Sequence, residues 1–126
     1  MIHLDTSFLI RSLVPGSEED QRLRSWLREG EPLGMSAIAW AEFLCGPLED
    51  AQLHLVNLFV PRRAPFGDDE AALASQLFNG SGRRRGSLAD CMIAATAIRG
   101  QAVLATKNPG DFRRFEGAGL HVVGPM

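Results

Sequence analysis

The chain has 126 residues, of which 45% are hydrophobic and 22% are charged, and its formal net charge at pH 7 is −2. This composition suits one globular domain spanning residues 1–126, and it excludes an intrinsically disordered chain. The small net charge gives no general indication of a polyanionic partner.

Short apolar segments and helical segments alternate along the N-terminal half of the chain. The expected elements are, in order, a strand at 1–4, a helix at 8–14, a helix at 18–29, a strand at 32–36, a helix at 37–45 and a helix at 48–60. Pro15 and Gly16 should end the first helix, while Ser17 and Ser36 should cap the N-termini of the second and third.

The same alternation continues through the C-terminal half. The expected elements are a strand at 62–66, a helix at 69–78, a helix at 88–99, a strand at 101–106, a helical turn at 109–115 and a strand at 120–123. Asp68 and Ser87 are the expected caps of the two longer helices. Strands separated by helices predict an α/β fold with a mainly parallel central sheet of four to five strands, sandwiched by helices.

The two cysteines and the hydropathy pattern indicate where the protein works. Cys45 and Cys91 lie in apolar segments, so we expect two buried thiols and no disulfide. Neither an N-terminal signal pattern nor an apolar run of about 18 residues occurs. We therefore expect a cytoplasmic protein that does not enter a membrane.

Four acidic residues occupy positions where a negative charge is costly. Asp5 follows the first strand, Asp111 follows the strand at 101–106, and Glu42 and Asp90 lie in apolar helices. Ligands gather at the carboxyl ends of parallel strands. Two unit charges about 4 Å apart repel by roughly 4 kcal/mol at an effective dielectric constant near 20, so such a cluster persists if protons are shared or a divalent cation neutralises it.

The donor types in this set favour a hard cation. Carboxylate oxygens suit Mg²⁺ or Mn²⁺, whereas His3, His54 and His121 lack the paired spacing of zinc ligands. Each acid taken alone could equally be a half-exposed surface group, or a partner of the helix dipole in the case of Asp90.

Four segments together resemble the PIN domain, and most closely the VapC toxins of toxin–antitoxin pairs. They are "LDTSFLI" at 4–10, "SAIAWAEFLCG" at 36–46, "SLADCMIAATAI" at 87–98 and "VLATKNPGDF" at 103–112. The resemblance implies an endoribonuclease that depends on Mg²⁺ or Mn²⁺, with catalytic and metal-binding acids at Asp5, Glu42, Asp90 and Asp111. It also implies an RNA substrate, a small cognate antitoxin and a homodimer.

Polar neighbours of these acids match further positions of the family. Thr6, Ser7 and Thr106 would hydrogen-bond the carboxylates, although hydroxyls at strand ends often only cap the next helix. Some family members carry an acid where this chain has Asn108, so the fourth acidic function could belong to Asp111 or be shared with Asn108.

Two surfaces are candidates for contacts with partners. The arginines expected to bind RNA phosphates are Arg83, Arg84, Arg85, Arg113 and Arg114, and their alternative is a solvated loop surface. A groove for an antitoxin helix could be formed by Trp26, Leu27, Trp40, Phe43 and Leu44, which could instead be ordinary core.

Two other functions compete with a toxin nuclease. One is a PIN domain that binds proteins and has weak or no catalytic activity. The other is a phospho-receiver signalling domain, which also has an acid after its first strand. The first strand here lacks the acidic doublet of a receiver, and the middle of the chain has no Asp ending an apolar strand.

Overall fold

A five-stranded sheet forms the centre of the fold. The structure, a computed structural model, describes residues 1–125. The strands are β1 (Ile2–Leu4), β2 (Leu33–Ser36), β3 (Arg62–Ala64), β4 (Val103–Ala105) and β5 (His121–Val123). Their order in the sheet is β3-β2-β1-β4-β5, and every neighbouring pair is parallel. The predicted α/β class with a parallel sheet of four to five strands is thus confirmed.

Helices flank this sheet. They are α1 (Thr6–Ser12), α2 (Glu18–Glu29), α3 (Ala37–Leu44), α4 (Asp50–Phe59), α5 (Asp68–Gly80) and α6 (Leu88–Arg99), followed by two 3₁₀ helices at Pro109–Asp111 and Arg113–Ala118. Within residues 1–125, none of the helices combines the length and the apolar character needed to cross a membrane.

Two predicted helix caps are confirmed. The Ser17 hydroxyl accepts a hydrogen bond from the N–H of Asp20 at 3.0 Å, at the start of α2. The Ser36 hydroxyl accepts from the N–H of Ala39 at 2.9 Å, at the start of α3. Both bonds satisfy backbone donors that the first helical turn leaves without a partner.

The predicted cap at Asp68 is wrong, whereas Ser87 occupies the N-cap position of α6 without a capping hydrogen bond from its side chain. Asp68 is the first residue of α5 and not its cap, and Glu70 accepts from the N–H of Gly67 at 2.9 Å instead. Ser87 does precede α6, but its hydroxyl donates to the carbonyl of Arg84 at 2.7 Å. The Ser87 side chain therefore stabilises the turn before α6 and not, as the sequence had predicted, the first turn of the helix.

Three predicted boundaries also shift. Helix α1 begins at Thr6 because Asp5 already stands at its N-cap position with extended backbone. Helix α4 begins at Asp50, where the N–H of Glu49 donates to the side chain of Gln52 at 3.2 Å. Strand β4 covers only the middle of the predicted segment 101–106.

The core is built from the side chains of β1, β2 and β4 and the inner faces of the helices. Phe8 of α1 is fully buried and stacks on Trp26 of α2, with ring centroids 5.5 Å apart. Cys91 is buried as expected, whereas Cys45 at the end of α3 is exposed, and both are free thiols. Packing of α1 and α3 against this core fixes the elements that follow the carboxyl ends of β1 and β2.

Candidate functional site

The four acids predicted from sequence meet in one cavity. This acid cavity has a volume of about 320 Å³ and is lined by Asp5, Thr6, Ser7, Ile10, Glu42, Asp90, Asn108, Asp111 and Phe112. Each acid comes from a different element, namely the end of β1, α3, the first turn of α6 and the first 3₁₀ helix. The cavity therefore depends on the whole sheet and on no single loop.

Asp5 is held by two hydroxyl groups. Its side chain is buried, and Oδ2 accepts hydrogen bonds from Thr106 Oγ1 at 2.8 Å and from Ser7 Oγ at 2.9 Å. Burial raises the pKa of this carboxyl, while the two hydroxyl bonds act in the opposite direction. Both bonds reach the same oxygen, so Oδ1 keeps its acceptor capacity for another group.

Backbone donors fix the two hydroxyls in turn. Thr106 Oγ1 accepts from the N–H of Asn108 at 3.1 Å, and Ser7 Oγ accepts from the N–H of Lys107 at 3.2 Å. Each hydroxyl carries one proton and can donate it to Asp5, and the two hydroxyl oxygens also lie 3.3 Å apart, so that either can donate to the other. The segment after β4 thereby sets the orientation of the acid after β1.

The Thr6 hydroxyl orients the carboxylate of Glu42. This hydroxyl lies 2.9 Å from Glu42 Oε1 and 3.0 Å from the carbonyl oxygen of Ala39, and it can donate to either. Glu42 is otherwise exposed on α3, and within residues 1–125 it forms no ion pair. The hydrogen bond from Thr6 therefore holds the long Glu42 side chain at the rim of the acid cavity.

Asp90 has the strongest electrostatic perturbation in the cavity. Its pKa is raised to about 6, first because burial disfavours the charged form and then because Asp5, Asp111 and Glu42 repel it, whereas the Arg114 guanidinium lowers it. The four acids are thus close enough to influence one another. A cluster of this kind stores repulsion that a bound cation or a proton would relieve.

The donors of the acid cavity fit a hard divalent cation. All are oxygens of carboxylates, hydroxyls or the Asn108 amide, and histidine and cysteine do not line the cavity. Among residues 1–125, however, no three His, Cys, Asp or Glu side chains are already arranged to hold an ion. Asp111 is exposed, so its side chain can rotate toward an ion held by Asp5 and Asp90, whereas Glu42 is already held at the rim by Thr6.

The five predicted RNA-binding arginines have different surroundings. Arg83 Nη1 donates to Asn79 at 2.6 Å, Arg113 lies 3.8 Å from Glu116, and Arg84 and Arg85 are exposed. Arg114 is partly buried near Asp90. The sequence alone could not predict which of these arginines are exposed and which are partly buried. That difference depends on the conformation of the turn or helix that carries them.

The five residues of the predicted antitoxin groove are divided between the core and the surface. Trp26 and Phe43 belong to the core, and Trp40 lies beneath Arg63, whose guanidinium carbon is 3.7 Å from the ring centroid. Leu27 and Leu44 are exposed. Sequence reasoning missed the apolar residues that accompany them on the surface, which include Ile10, Val14 and Leu55.

Comparisons with known proteins agree with this architecture. The family model of the PIN domain matches residues 2–118. A comparison with curated proteins found no match.

Three solved structures of bacterial proteins have a similar fold. FitAcB from Neisseria gonorrhoeae is 29% identical over 99% of this chain and 98% of that chain, with a TM-score of 0.72. A toxin–antitoxin complex from Klebsiella pneumoniae is 25% identical over 100% and 98%, with a TM-score of 0.76. VapBC-1 from nontypeable Haemophilus influenzae is 22% identical over 99% and 98%, with a TM-score of 0.74, and shows the fold alone. With a parallel sheet, an acid cavity at its carboxyl edge and a family match over nearly the whole length, this chain belongs to the PIN-domain family.

Proposed function

We propose that this protein is a divalent-metal-dependent endoribonuclease and the toxin of a toxin–antitoxin pair. The observation that carries the proposal is the meeting of Asp5, Glu42, Asp90 and Asp111 from four separate elements in one cavity. Unrelated surface acids would not be expected to converge in this way, because their mutual repulsion opposes folding.

Asp5 and Asp90 would be the principal metal-binding residues, with Glu42 and Asp111 completing the set. The chemistry that Mg²⁺ or Mn²⁺ supplies in such a site is activation of water and stabilisation of the charge that develops on a phosphoryl group. Asn108 lines the same cavity and is a further oxygen donor beside Asp111. The amide is neutral, so it would contribute to positioning more than to charge balance.

The remaining polar residues act by orienting the acids. Thr106 and Ser7 hold one oxygen of Asp5, and Thr6 holds Glu42. Fixing a ligand before the ion arrives reduces the cost of ordering it on binding. Loss of one of these hydroxyls should weaken metal binding by about 10- to 100-fold.

The proposed toxin role rests on the relatives and on an exposed apolar surface. The complexes from Neisseria and Klebsiella contain FitAcB and a toxin–antitoxin pair, respectively. In this chain a groove runs beside α1, with cavities of about 300 and 270 Å³ that share Leu13 and Gln52. An antitoxin segment with an apolar face would cover Ile10, Val14 and Leu55 there. A homodimer and a cytoplasmic location belong to the same proposal.

The nuclease proposal is tested by RNA cleavage with Mg²⁺ or Mn²⁺. Asp5→Asn should abolish cleavage while the protein remains folded, because the substitution removes a charged ligand and keeps the shape of the side chain. Glu31→Gln is the matched control, since Glu31 is an exposed acid in the loop after α2. If folded Asp5→Asn protein cleaves RNA as fast as the control, Asp5 has been wrongly assigned.

A further inference from the structure

A second cavity of about 320 Å³ lies between α5 and the second 3₁₀ helix. The lining of this second cavity includes Leu73, Gln76, Leu77, Ser81, Arg114 and Phe115. The lining therefore combines apolar side chains, one amide, one hydroxyl and one guanidinium, without a carboxylate.

Arg114 is the charged group of this cavity, and the protein partner of its guanidinium is the Cys91 thiol, a weak one. The Nε and Nη2 atoms of Arg114 are buried and form no hydrogen bond with residues 1–125. No acid of the same residues lies within 4.0 Å of it in an ion pair. The guanidinium carbon lies 4.5 Å from the centroid of the buried Phe115 ring, which supports the cation from one side.

Arg11 and Arg63 each leave one buried Nε without a hydrogen bond, whereas Arg114 leaves two buried nitrogens, and the other two arginines also have a polar partner nearby. Arg11 faces Glu19 at 3.9 Å, and Arg63 donates to the side chain of Asn57. Burying N–H donors of a charged group without acceptors costs free energy. The arrangement at Arg114 is therefore one that an external anion would complete.

The second cavity adjoins the acid cavity through one stretch of chain. Asp111 and Phe112 line the acid cavity, and Arg114 and Phe115, three residues further along, line the second. The Phe112 and Phe115 rings contact each other, with centroids 6.2 Å apart. The charge of Arg114 also reaches Asp90. A polyanionic strand with one phosphate at the acids would thus have a neighbouring phosphate within reach of Arg114.

We propose that the second cavity is a phosphate subsite for single-stranded RNA, in which Arg114 binds the phosphate next to the one that is cleaved. The guanidinium supplies a permanent positive charge and N–H donors for phosphate oxygens. Leu73 and Leu77 would contact the adjoining nucleoside, while Gln76 and Ser81 would supply further donors. This inference rests on the proposed nuclease function and adds to it the place where the flanking strand is held.

The test measures binding of a fluorescent single-stranded RNA in EDTA, where the RNA is not cut, over a series of KCl concentrations. Arg114→Met should raise the Kd by about tenfold, which is the loss of one charge-assisted contact. It should also reduce the log–log salt slope by about 0.7, the value for one phosphate of a single strand. Arg114→Lys should keep the slope and lose part of the affinity, because it keeps the charge but not the fork of donors.

Arg28→Met is the matched control, since Arg28 is an exposed arginine at the end of α2 that does not line the second cavity. Equal Kd and slope for Arg114→Met and Arg28→Met would overturn the subsite, as would wild-type binding that does not depend on salt. Cleavage by the wild type with Mg²⁺ or Mn²⁺ is measured alongside. A wild type that cleaves, with an Arg114→Met variant that binds normally, refutes the subsite alone, whereas a wild type that never cleaves refutes the nuclease.

Discussion

Removing the charge of Asp90 should stabilise the metal-free protein, because burial and then the neighbouring acids of the cavity disfavour its ionised form. The pKa of Asp90 is about 6 in the native state against an ordinary value of 3.8. This difference corresponds to about 3 kcal/mol of unfavourable free energy when the group is ionised. Asp90 is only partly buried, so solvent screening reduces the expected value to about 1–2 kcal/mol.

The sign of this effect changes the pH dependence in a defined way. A carboxyl with a raised native pKa destabilises the fold when ionised, so the cost is absent below pH 3.8 and fully present above about pH 6. In EDTA at pH 8, Asp90→Asn should therefore unfold with a free energy about 1–2 kcal/mol larger than that of the wild type. At pH 4.5 the gain should fall to roughly a third of this value.

Urea denaturation, monitored by circular dichroism, measures the difference in unfolding free energy between Asp90→Asn and the wild type at pH 8 and at pH 4.5. Glu31→Gln, in the loop after α2, controls for the change in net charge and should show no gain at either pH. The electrostatic reasoning would be refuted if Asp90→Asn were no more stable than the wild type at pH 8, or if its gain were the same at pH 4.5. Either result would mean that burial and the neighbouring acids do not disfavour the ionised form of Asp90 in the native state.

Three further predictions concern metal binding, the hydroxyl group of Thr106 and the protonation of His3. In thermal melts, Mn²⁺ at one hundred times its Kd should stabilise the wild type by about 2.7 kcal/mol and Asp5→Asn by less, and parallel shifts would show that Asp5 is no ligand. Thr106→Val should cost about 1–3 kcal/mol in urea denaturation, because it removes a hydrogen bond from a buried carboxylate, and an unchanged midpoint would contradict this. His3 is buried with its pKa lowered from 6.5 to about 4, so the unfolded state takes up a proton first. Stability should therefore be full above pH 6.5 and fall by about 3 kcal/mol as the pH approaches 4, and His3→Gln should flatten that dependence.

Much of the fold was predictable because local signals and burial agree. The run before Asp5 is short, apolar and bounded by a charge, and it forms the central strand. Ser17 and Ser36 each precede a helical pattern, and each caps its helix. The convergence of the acids was predictable in outline, since parallel strands bring their carboxyl ends to the same edge of a sheet.

Other features depend on tertiary contacts that no short window contains. Ser87 was predicted to cap α6, but the preceding loop offers the carbonyl of Arg84, and the hydroxyl donates there. Cys45 lies in an apolar pattern yet falls on the outer surface where α3 ends. Arg113 and Arg114 are neighbours in sequence, but successive residues of a 3₁₀ helix point about 120° apart, so only one of them reaches the second cavity.

The hydrogen bond between Thr106 and Asp5 joins residues 101 positions apart, and β1 has β4 as one of its two neighbours in the sheet. Contacts of such long sequence separation form late, because the chain between them must be closed first. During synthesis, Asp5 therefore emerges without the strand that orients it and without Asp90 and Asp111. The acid cavity is therefore complete only when the last quarter of the chain has joined the sheet, so any chemistry that needs all four acids begins after most of the chain has been made.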